Sequence, residues 1–216
     1  MHEYEYVTKE EYGPVKNRLI ELIKETQDEL RGYFSFQYIF VGSSSRHVIT
    51  REINGNRGYD FDVDLKLKKA KTYNPFELKQ TFMDALNPYS HRFGFGFCKD
   101  SSSVITIKAL DLMDRSISFS CDFAIVRDIV GKDGNTHHLY VYNDKEKNEY
   151  RWQERSKEYT GLKEKEEKIK QAGLWDDVRE IYLEKKCLYS DDKKSRALYA
   201  ETINEVFQLL ENRRNK

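Results

Sequence analysis

Residues 59–68, Tyr-Asp-Phe-Asp-Val-Asp-Leu-Lys-Leu-Lys, alternate without a break between apolar and charged side chains. A period of two is the signature of an extended strand with one buried face. Phe61, Val63, Leu65 and Leu67 fall on one side; Asp60, Asp62, Asp64 and Lys66 fall on the other. The chain must therefore build a sheet around this strand, and that sheet must accommodate three carboxylates on one face. Carboxylates so placed face water, pair with cations or hold a metal ion.

The stretch just before this strand is also unusual. Phe34 to Val41 is aromatic and β-branched, as a buried strand is, and Gly42 ends it. Ser43, Ser44 and Ser45 are expected to cap a short helix. A strand that runs through a glycine into a helix start is a good anion site, because free backbone N–H groups and the helix dipole point at one place. Arg46 adds a fixed charge suited to phosphate, and His47 is assigned a local structural role. Thr50 to Gly58, with Asn54-Gly55-Asn56, reads as a loop.

A second alternating run, Ser116 to Val126, sends Ile117, Phe119, Cys121, Phe123 and Ile125 toward a core and leaves Ser118, Ser120 and Asp122 opposite. Asp122 needs a partner or a metal there. Thr8 and Glu11 have capping-box spacing ahead of a helix in which Pro14 suits the first turn and Gly32 the C-cap. Asn74 starts a further helix that Asn87-Pro88 is expected to end. Val104 to Ala109 reads as a strand, Asp111 to Arg115 as a turn, Lys132 to Asn135 as a hairpin turn and Leu139 to Tyr142 as its return strand. Phe93-Gly-Phe-Gly-Phe97 lacks the spacing of a dinucleotide fingerprint and is given a structural role. After about Asp144 the pattern becomes helical and highly charged. The expected division is a core over 1–143 and a helical region over 144–216.

Composition narrows the classes. Lys plus Arg equals Asp plus Glu, 37 each in 216 residues, so no broad basic footprint is present and strong non-specific nucleic-acid binding is not expected. The three cysteines, Cys98, Cys121 and Cys187, have no zinc or disulfide spacing. No apolar stretch approaches transmembrane length and Met1 to Tyr12 carries no apolar run; a cytoplasmic protein without membrane association is the expectation. His137 and His138 are adjacent, so a strand would point them to opposite faces, and packing or surface roles are expected for them, as for Trp152 and Tyr189.

Transfer of a phosphoryl or nucleotidyl group from a triphosphate needs charge neutralisation and in-line positioning more than covalent chemistry. Two divalent ions about 3.5–4 Å apart supply this in many such sites. Two acids two residues apart on a strand, with a third on a neighbouring strand, provide the ligands. Asp60 and Asp62 with Asp122 meet that need, and Gly42 and Ser43 meet the need for a phosphate cradle.

The ordered set of a Gly-Ser turn, an acid–hydrophobic–acid–hydrophobic strand and a distant aspartate in an apolar strand resembles the DNA polymerase β-type nucleotidyltransferase superfamily. Within it, Phe40 to Ser43, Tyr59 to Leu67 and Phe119 to Val126 are similar to the oligoadenylate synthase and cyclic GMP-AMP synthase-like branch. The resemblance implies an α+β nucleotidyltransferase fold, a small mixed sheet with helices on one face plus a C-terminal helical region that closes a nucleotide cleft. It implies an NTP donor such as ATP, Mg²⁺ or Mn²⁺ on Asp60, Asp62 and Asp122, and donor contacts from Gly42, Ser43 and Ser44. It further implies that Asp122 helps remove the acceptor hydroxyl's proton, and that lysines of the helical region, Lys185 and Lys186 foremost, reach the triphosphate.

This sequence departs from the family pattern in two places. The gap from Ser43 to Asp60 is longer than usual, which makes Ile53 to Gly58 an inserted loop. Asp62-Val-Asp64-Leu also satisfies the acid pattern, so Asp64 is an alternate metal ligand. Asp60 and Asp62 are favoured because Val63, Leu65 and Leu67 then carry the strand into the core, leaving Asp64 to pair with Lys66 or Lys108. The acceptor is open: a nucleotide, an RNA end, a protein or a small molecule. The alternative to catalysis is a nucleotide-binding or regulatory module of the same fold, for example in a defence or toxin–antitoxin pair.

Overall fold

The computed structural model describes residues 2–56, 58–68, 73–111, 116–132, 134–155 and 161–214. In chain order these form β1 (Tyr4–Tyr6), α1 (Lys9–Leu30), β2 (Phe36–Val41), α2 (Gly42–Arg46), β3 (Thr50–Glu52), β4 (Tyr59–Leu67) and α3 (Pro75–Ser90). A 3-10 turn at His91–Phe93 precedes β5 (Lys99–Asp100), β6 (Ile105–Asp111), β7 (Ser116–Val130), β8 (Thr136–Asp144) and β9 (Glu149–Glu154). The chain ends in α4 (Leu162–Gln171), α5 (Trp175–Tyr189) and α6 (Ser195–Arg214). Two compact units result: Val7–Ile49 with Gly55–Arg155, and Met1–Tyr6 with Thr50–Asn54 and Ser156–Lys216.

The larger unit is built on a mixed sheet in the order β2-β4-β7-β6-β5, with β8 paired to β7 and β9 to β8. β4 and β7 run parallel, and the other pairs are antiparallel. The alternation of β4 is observed except at Asp64: Tyr59, Phe61, Val63, Leu65 and Leu67 are buried, Asp60 is exposed, Asp62 and Lys66 are half-buried, and Asp64 is buried on the acid face. The buried face meets Leu19, Leu22 and Ile23 of α1 and Phe82 and Leu86 of α3 in one core with Cys121, Phe123 and Ile125 of β7. Each such side chain contributes roughly 1.5–3 kcal/mol on burial, which makes this face the main source of the unit's stability. The expected α+β architecture, with helices on one side of a small mixed sheet, is the one observed. The acids are on the sheet face away from that core.

Local signals hold in part. Thr8 accepts from the Glu11 N–H while Glu11 accepts from the Thr8 N–H, the expected capping box. The helix starts at Lys9, however, so Pro14 lies inside it beyond the first turn, and its C-cap is Arg31 rather than Gly32. α3 runs through Asn87-Pro88 to Ser90. Proline removes only its own N–H and disturbs only the preceding turn, and the Asn87 side chain and carbonyl are used by Cys98 N–H and Ser90 Oγ. The expected loop over Thr50–Gly58 contains β3, which pairs with β1, a partner too short to show a pattern. β9 follows residue 144, so the helices begin later than the 143/144 division. Gly131 N–H bonds Asn135 O across the β7–β8 connection, as a hairpin requires. Arg57 of the inserted loop, residues 112–115 of the expected turn and Asp133 of the hairpin turn lie outside the described residues.

The second unit pairs β1 with β3 and packs three helices. Val178 and Tyr182 of α5 and Leu198, Ile203, Val206 and Leu210 of α6 are buried. Tyr6 donates to the Arg179 carbonyl at 2.6 Å, and the Arg179 guanidinium lies 4.3 Å from the Tyr6 ring centre.

Candidate active site

Asp62 and Asp122 are register partners on the parallel strands β4 and β7. Asp60 is the partner of Ser120, and Asp64 of Ala124. Gly58 seats β4 in this register. It has φ +61°, and a Cβ there would stand 2.2 Å from Ser118 O and 2.3 Å from Ile117 O, so only glycine lets the strand entrance lie against β7.

On the other side of β4, Val41 of β2 pairs with Asp62, so the chain leaves β2 and enters α2 beside that acid. Gly42 has φ +66°, and a Cβ would meet Asp62 Oδ2 at 2.3 Å. The turn and the acid strand are therefore one structure: the turn's backbone is pressed against Asp62. The serines do not cap this helix, whose N-cap is Val41; they lie inside it. Ser44 is buried and donates to Val41 O at 3.1 Å, and Ser45 donates to Gly42 O at 2.9 Å. Ser43 is half-buried and accepts Val48 N–H at its carbonyl. Arg46 is close enough to lower the proton affinity of Asp62. His47 takes a left-handed conformation at the end of α2 and bonds Tyr12 Oη through Nδ1 at 3.0 Å, the local structural role expected.

Burial pushes the Asp62 carboxyl up to about 6, with Asp122, Asp60 and Asp64 adding repulsion and Arg46 opposing it. Asp122 is also raised, first by burial, then by Asp60, against the Thr106 hydrogen bond and Lys108. The repulsion follows from the register that sets the acids side by side on β4 and β7. Each outer acid is held by a hydroxyl: Ser120 Oγ donates to Asp60 Oδ1, and Thr106 Oγ1 donates to Asp122 Oδ1 at 2.6 Å. Asp64 differs. It is buried, and Arg155 takes both its oxygens, Nη1 to Oδ2 at 2.7 Å and Nη2 to Oδ1 at 2.5 Å. Its partner is thus neither Lys66, which pairs with Asp128, nor Lys108.

Hard, oxygen-rich donors suit Mg²⁺ or Mn²⁺, and Asp60, Asp62 and Asp122 fit such an ion in chemistry, sheet face and register. Among the described residues no three His, Cys, Asp or Glu side chains already close around a common point.

Lys185 and Lys186 belong to the helical unit and have partners within it. Lys185 pairs with Glu205 at 2.6 Å; Lys186 is buried, donates to Ser195 Oγ at 2.8 Å and sits 4.3 Å from the Tyr4 ring centre. His137 and His138 pair separately with Glu154 and Asp128. Sequence reasoning missed Thr106, Ser120 and Arg155. Ser120 was legible as a face-mate of Asp122. Thr106 becomes visible only with the β6–β7 register, and Arg155 carries no local signal.

A mixed sheet with a parallel β4–β7 pair bearing the acids, helices on the opposite face and a glycine turn entering a short helix beside the acids is the nucleotidyltransferase fold. No family model and no curated protein matches the chain in sequence. Solved structures do match it. The CD-NTase CdnG of Bradyrhizobium diazoefficiens, in complex with GTP, aligns with TM-score 0.51 and 14% identity over 78% of this chain and 49% of that one. The CdnE cyclic dinucleotide synthase of Elizabethkingia meningoseptica, with GTP and Apcpp, aligns with TM-score 0.52 and 14% identity over 88% and 68%. The GTP-bound form of DncV from Vibrio cholerae aligns with TM-score 0.54 and 14% identity over 93% and 52%. The chain spans about half the length of the Bradyrhizobium and Vibrio proteins. The fold is the one these proteins share, as the resemblance to the cyclic GMP-AMP synthase-like branch implied. Among the described residues no helix is long and apolar enough to cross a membrane.

Proposed function

We propose that this chain is a metal-dependent nucleotidyltransferase that moves a nucleoside monophosphate from an NTP to a hydroxyl acceptor and releases pyrophosphate. The observation that carries the reading is the Gly42–Asp62 contact, which sets the glycine turn against the middle one of three aligned acids. The turn at Gly42 and Ser43 offers backbone N–H groups to the donor triphosphate, and Arg46 adds a permanent positive charge beside Asp62. Asp60, Asp62 and Asp122 are the ligands for Mg²⁺ or Mn²⁺, which supplies charge neutralisation at the phosphates. Asp64 is left out of the ligand set because Arg155 takes both its oxygens.

Asp122 accepts the proton of the acceptor hydroxyl. The new bond joins that oxygen to the α-phosphorus, the bond from the α-phosphorus to the bridging oxygen breaks, and pyrophosphate carries the electron pair away. The balanced net charge favours a small acceptor over a long nucleic acid.

The test is incubation with each NTP, ATP included, and Mg²⁺ or Mn²⁺, with pyrophosphate release and product masses as readouts. Asp122→Ala is expected to lose turnover while it still folds and binds nucleotide. Absence of both pyrophosphate and nucleotide binding in wild type overturns the proposal.

A further inference from the structure

The two outer acids are each held by a hydroxyl from the register partner across the strand pair. Ser120 is the β7 partner of Asp60, and Thr106 is the β6 partner of Asp122. In both cases the hydroxyl donates to Oδ1. The repetition is a consequence of register, since a hydroxyl at the partner position on the same face reaches the neighbouring carboxylate.

The Thr106 contact has an anchored backing. Ser101 Oγ lies 3.1 Å from Thr106 Oγ1. Thr106 has one hydroxyl proton and gives it to the Asp122 carboxylate, so Ser101 must donate to Thr106. Ser101 begins a tight turn, with its N–H on Val104 O. Its carbonyl accepts from the Lys79 ammonium, which is 1% exposed and pairs with Asp100 at 2.6 Å. A buried lysine costs free energy through desolvation unless it is well paired. Here its two partners are adjacent residues at the start of the β5–β6 turn, so Lys79 rivets that turn to α3. The order runs from the buried Lys79 through Ser101 and Thr106 to Asp122.

We infer that Thr106 and Ser120 are positioning residues for the two outer carboxylates, each taking up one oxygen so that Oδ2 is the one presented to an incoming cation and the reacting groups. The inference rests on the nucleotidyltransferase reading. A carboxylate with one oxygen fixed loses less rotational freedom when the other is engaged, and the hydroxyl sets its plane. Loss of such an outer contact lowers metal affinity or activity by about 10–100-fold in metal sites generally.

The test compares wild type with Thr106→Val, Thr106→Ser and Ser120→Ala. Mn²⁺ binding without nucleotide is read by electron paramagnetic resonance, and turnover as kcat and KM separately. Thr106→Val is expected to weaken Mn²⁺ binding about 10-fold or more and to lower kcat about 10–100-fold, with KM for the NTP within about 3-fold. Thr106→Ser, which keeps the hydroxyl, is expected to restore both to within about 3-fold of wild type. Ser120→Ala is expected to resemble Thr106→Val in Mn²⁺ binding. If Thr106→Val does not fold, Ser101→Ala takes its place, with a kcat loss of about 3–10-fold expected. Wild-type Mn²⁺ affinity and kcat in the Val (or Ser101→Ala) and Ser120→Ala variants, or no rescue by serine, overturn the inference alone. A wild type that binds no Mn²⁺ and releases no pyrophosphate overturns the nucleotidyltransferase reading and the inference with it.

Discussion

Arg155 grips Asp64 with both terminal guanidinium nitrogens, on the same strand face that carries Asp60 and Asp62. Burial works against the charge on Arg155, and the bonds to Asp64 outweigh it and raise its proton affinity. The pair neutralises one of three alternating acids; under the proposed chemistry the other two hold the metal. Removing Arg155 leaves a buried carboxylate uncompensated beside Asp62. Arg155→Met is expected to cost about 2 kcal/mol, between the values typical of exposed and buried pairs, because the arginine is partly exposed. Asp64→Asn in the Arg155→Met background is expected to recover part of that loss. Urea unfolding of both single variants and the double variant measures the coupling. Additive losses would show that the pair is not what stabilises this corner.

The Gly42–Asp62 contact makes a second cycle. Gly42→Ala meets two costs, a left-handed backbone and a Cβ against Asp62 Oδ2. A left-handed conformation alone costs an alanine roughly 1–2 kcal/mol. The total is expected to be about 2–3 kcal/mol, with nucleotide binding and turnover lost more steeply than stability. In an Asp62→Ala background the penalty is expected to fall to the backbone component. Denaturant midpoints for the four proteins check it, and an unchanged penalty would remove the carboxylate contact from the explanation.

Two other glycines separate crowding from conformation. Gly58 and Gly134 both have positive φ, but only Gly58 faces backbone, at Ser118 O and Ile117 O; a Cβ at Gly134 meets nothing within 4 Å. Gly134→Ala is expected to cost about 1 kcal/mol, and Gly58→Ala at least twice as much, because a strand backbone cannot swing away as a side chain can. Thermal unfolding of the two variants side by side decides this. Equal losses would mean that Gly58 does not set the β4 register.

Much of this was readable from the chain alone. β4 and β7 announced themselves because a half-buried strand enforces a period of two, and the acids fell on the opposite face for the same reason. The capping box of α1 was legible because it is local. What escaped depended on pairing across long separations. β3 exists only through β1, and the role of Thr106 follows from β6 lying against β7. Asp64 looked equivalent to Asp60 in sequence, and what distinguishes them, Arg155 against Ser120, comes from residues 91 and 60 positions away. Pro88 misled because a proline signal reports local cost, while the helix end was set by packing and by the bonds at Asn87.

The site also predicts a conflict between stability and chemistry at Asp62. Burial and the neighbouring acids raise its folded carboxyl from the ordinary 3.8 to about 6. Between these values the folded protein holds a proton that the unfolded chain has released. Stability therefore falls as pH rises through this window, and above it the charged carboxylate destabilises the metal-free fold. The cost at neutral pH is on the order of 2 kcal/mol, with Asp62 partly screened by solvent. Asp62→Asn removes the charge, so in EDTA the variant is expected to be more stable than wild type at pH 8 and nearly equal to it at pH 4. Under the proposed chemistry it also loses turnover by about 100-fold or more, as removal of a charge-stabilising group in an active site does. Urea unfolding at the two pH values, with pyrophosphate release at pH 8, tests both halves. A variant no more stable than wild type at pH 8 would mean that burial and the neighbouring acids do not raise the Asp62 carboxyl in the folded chain.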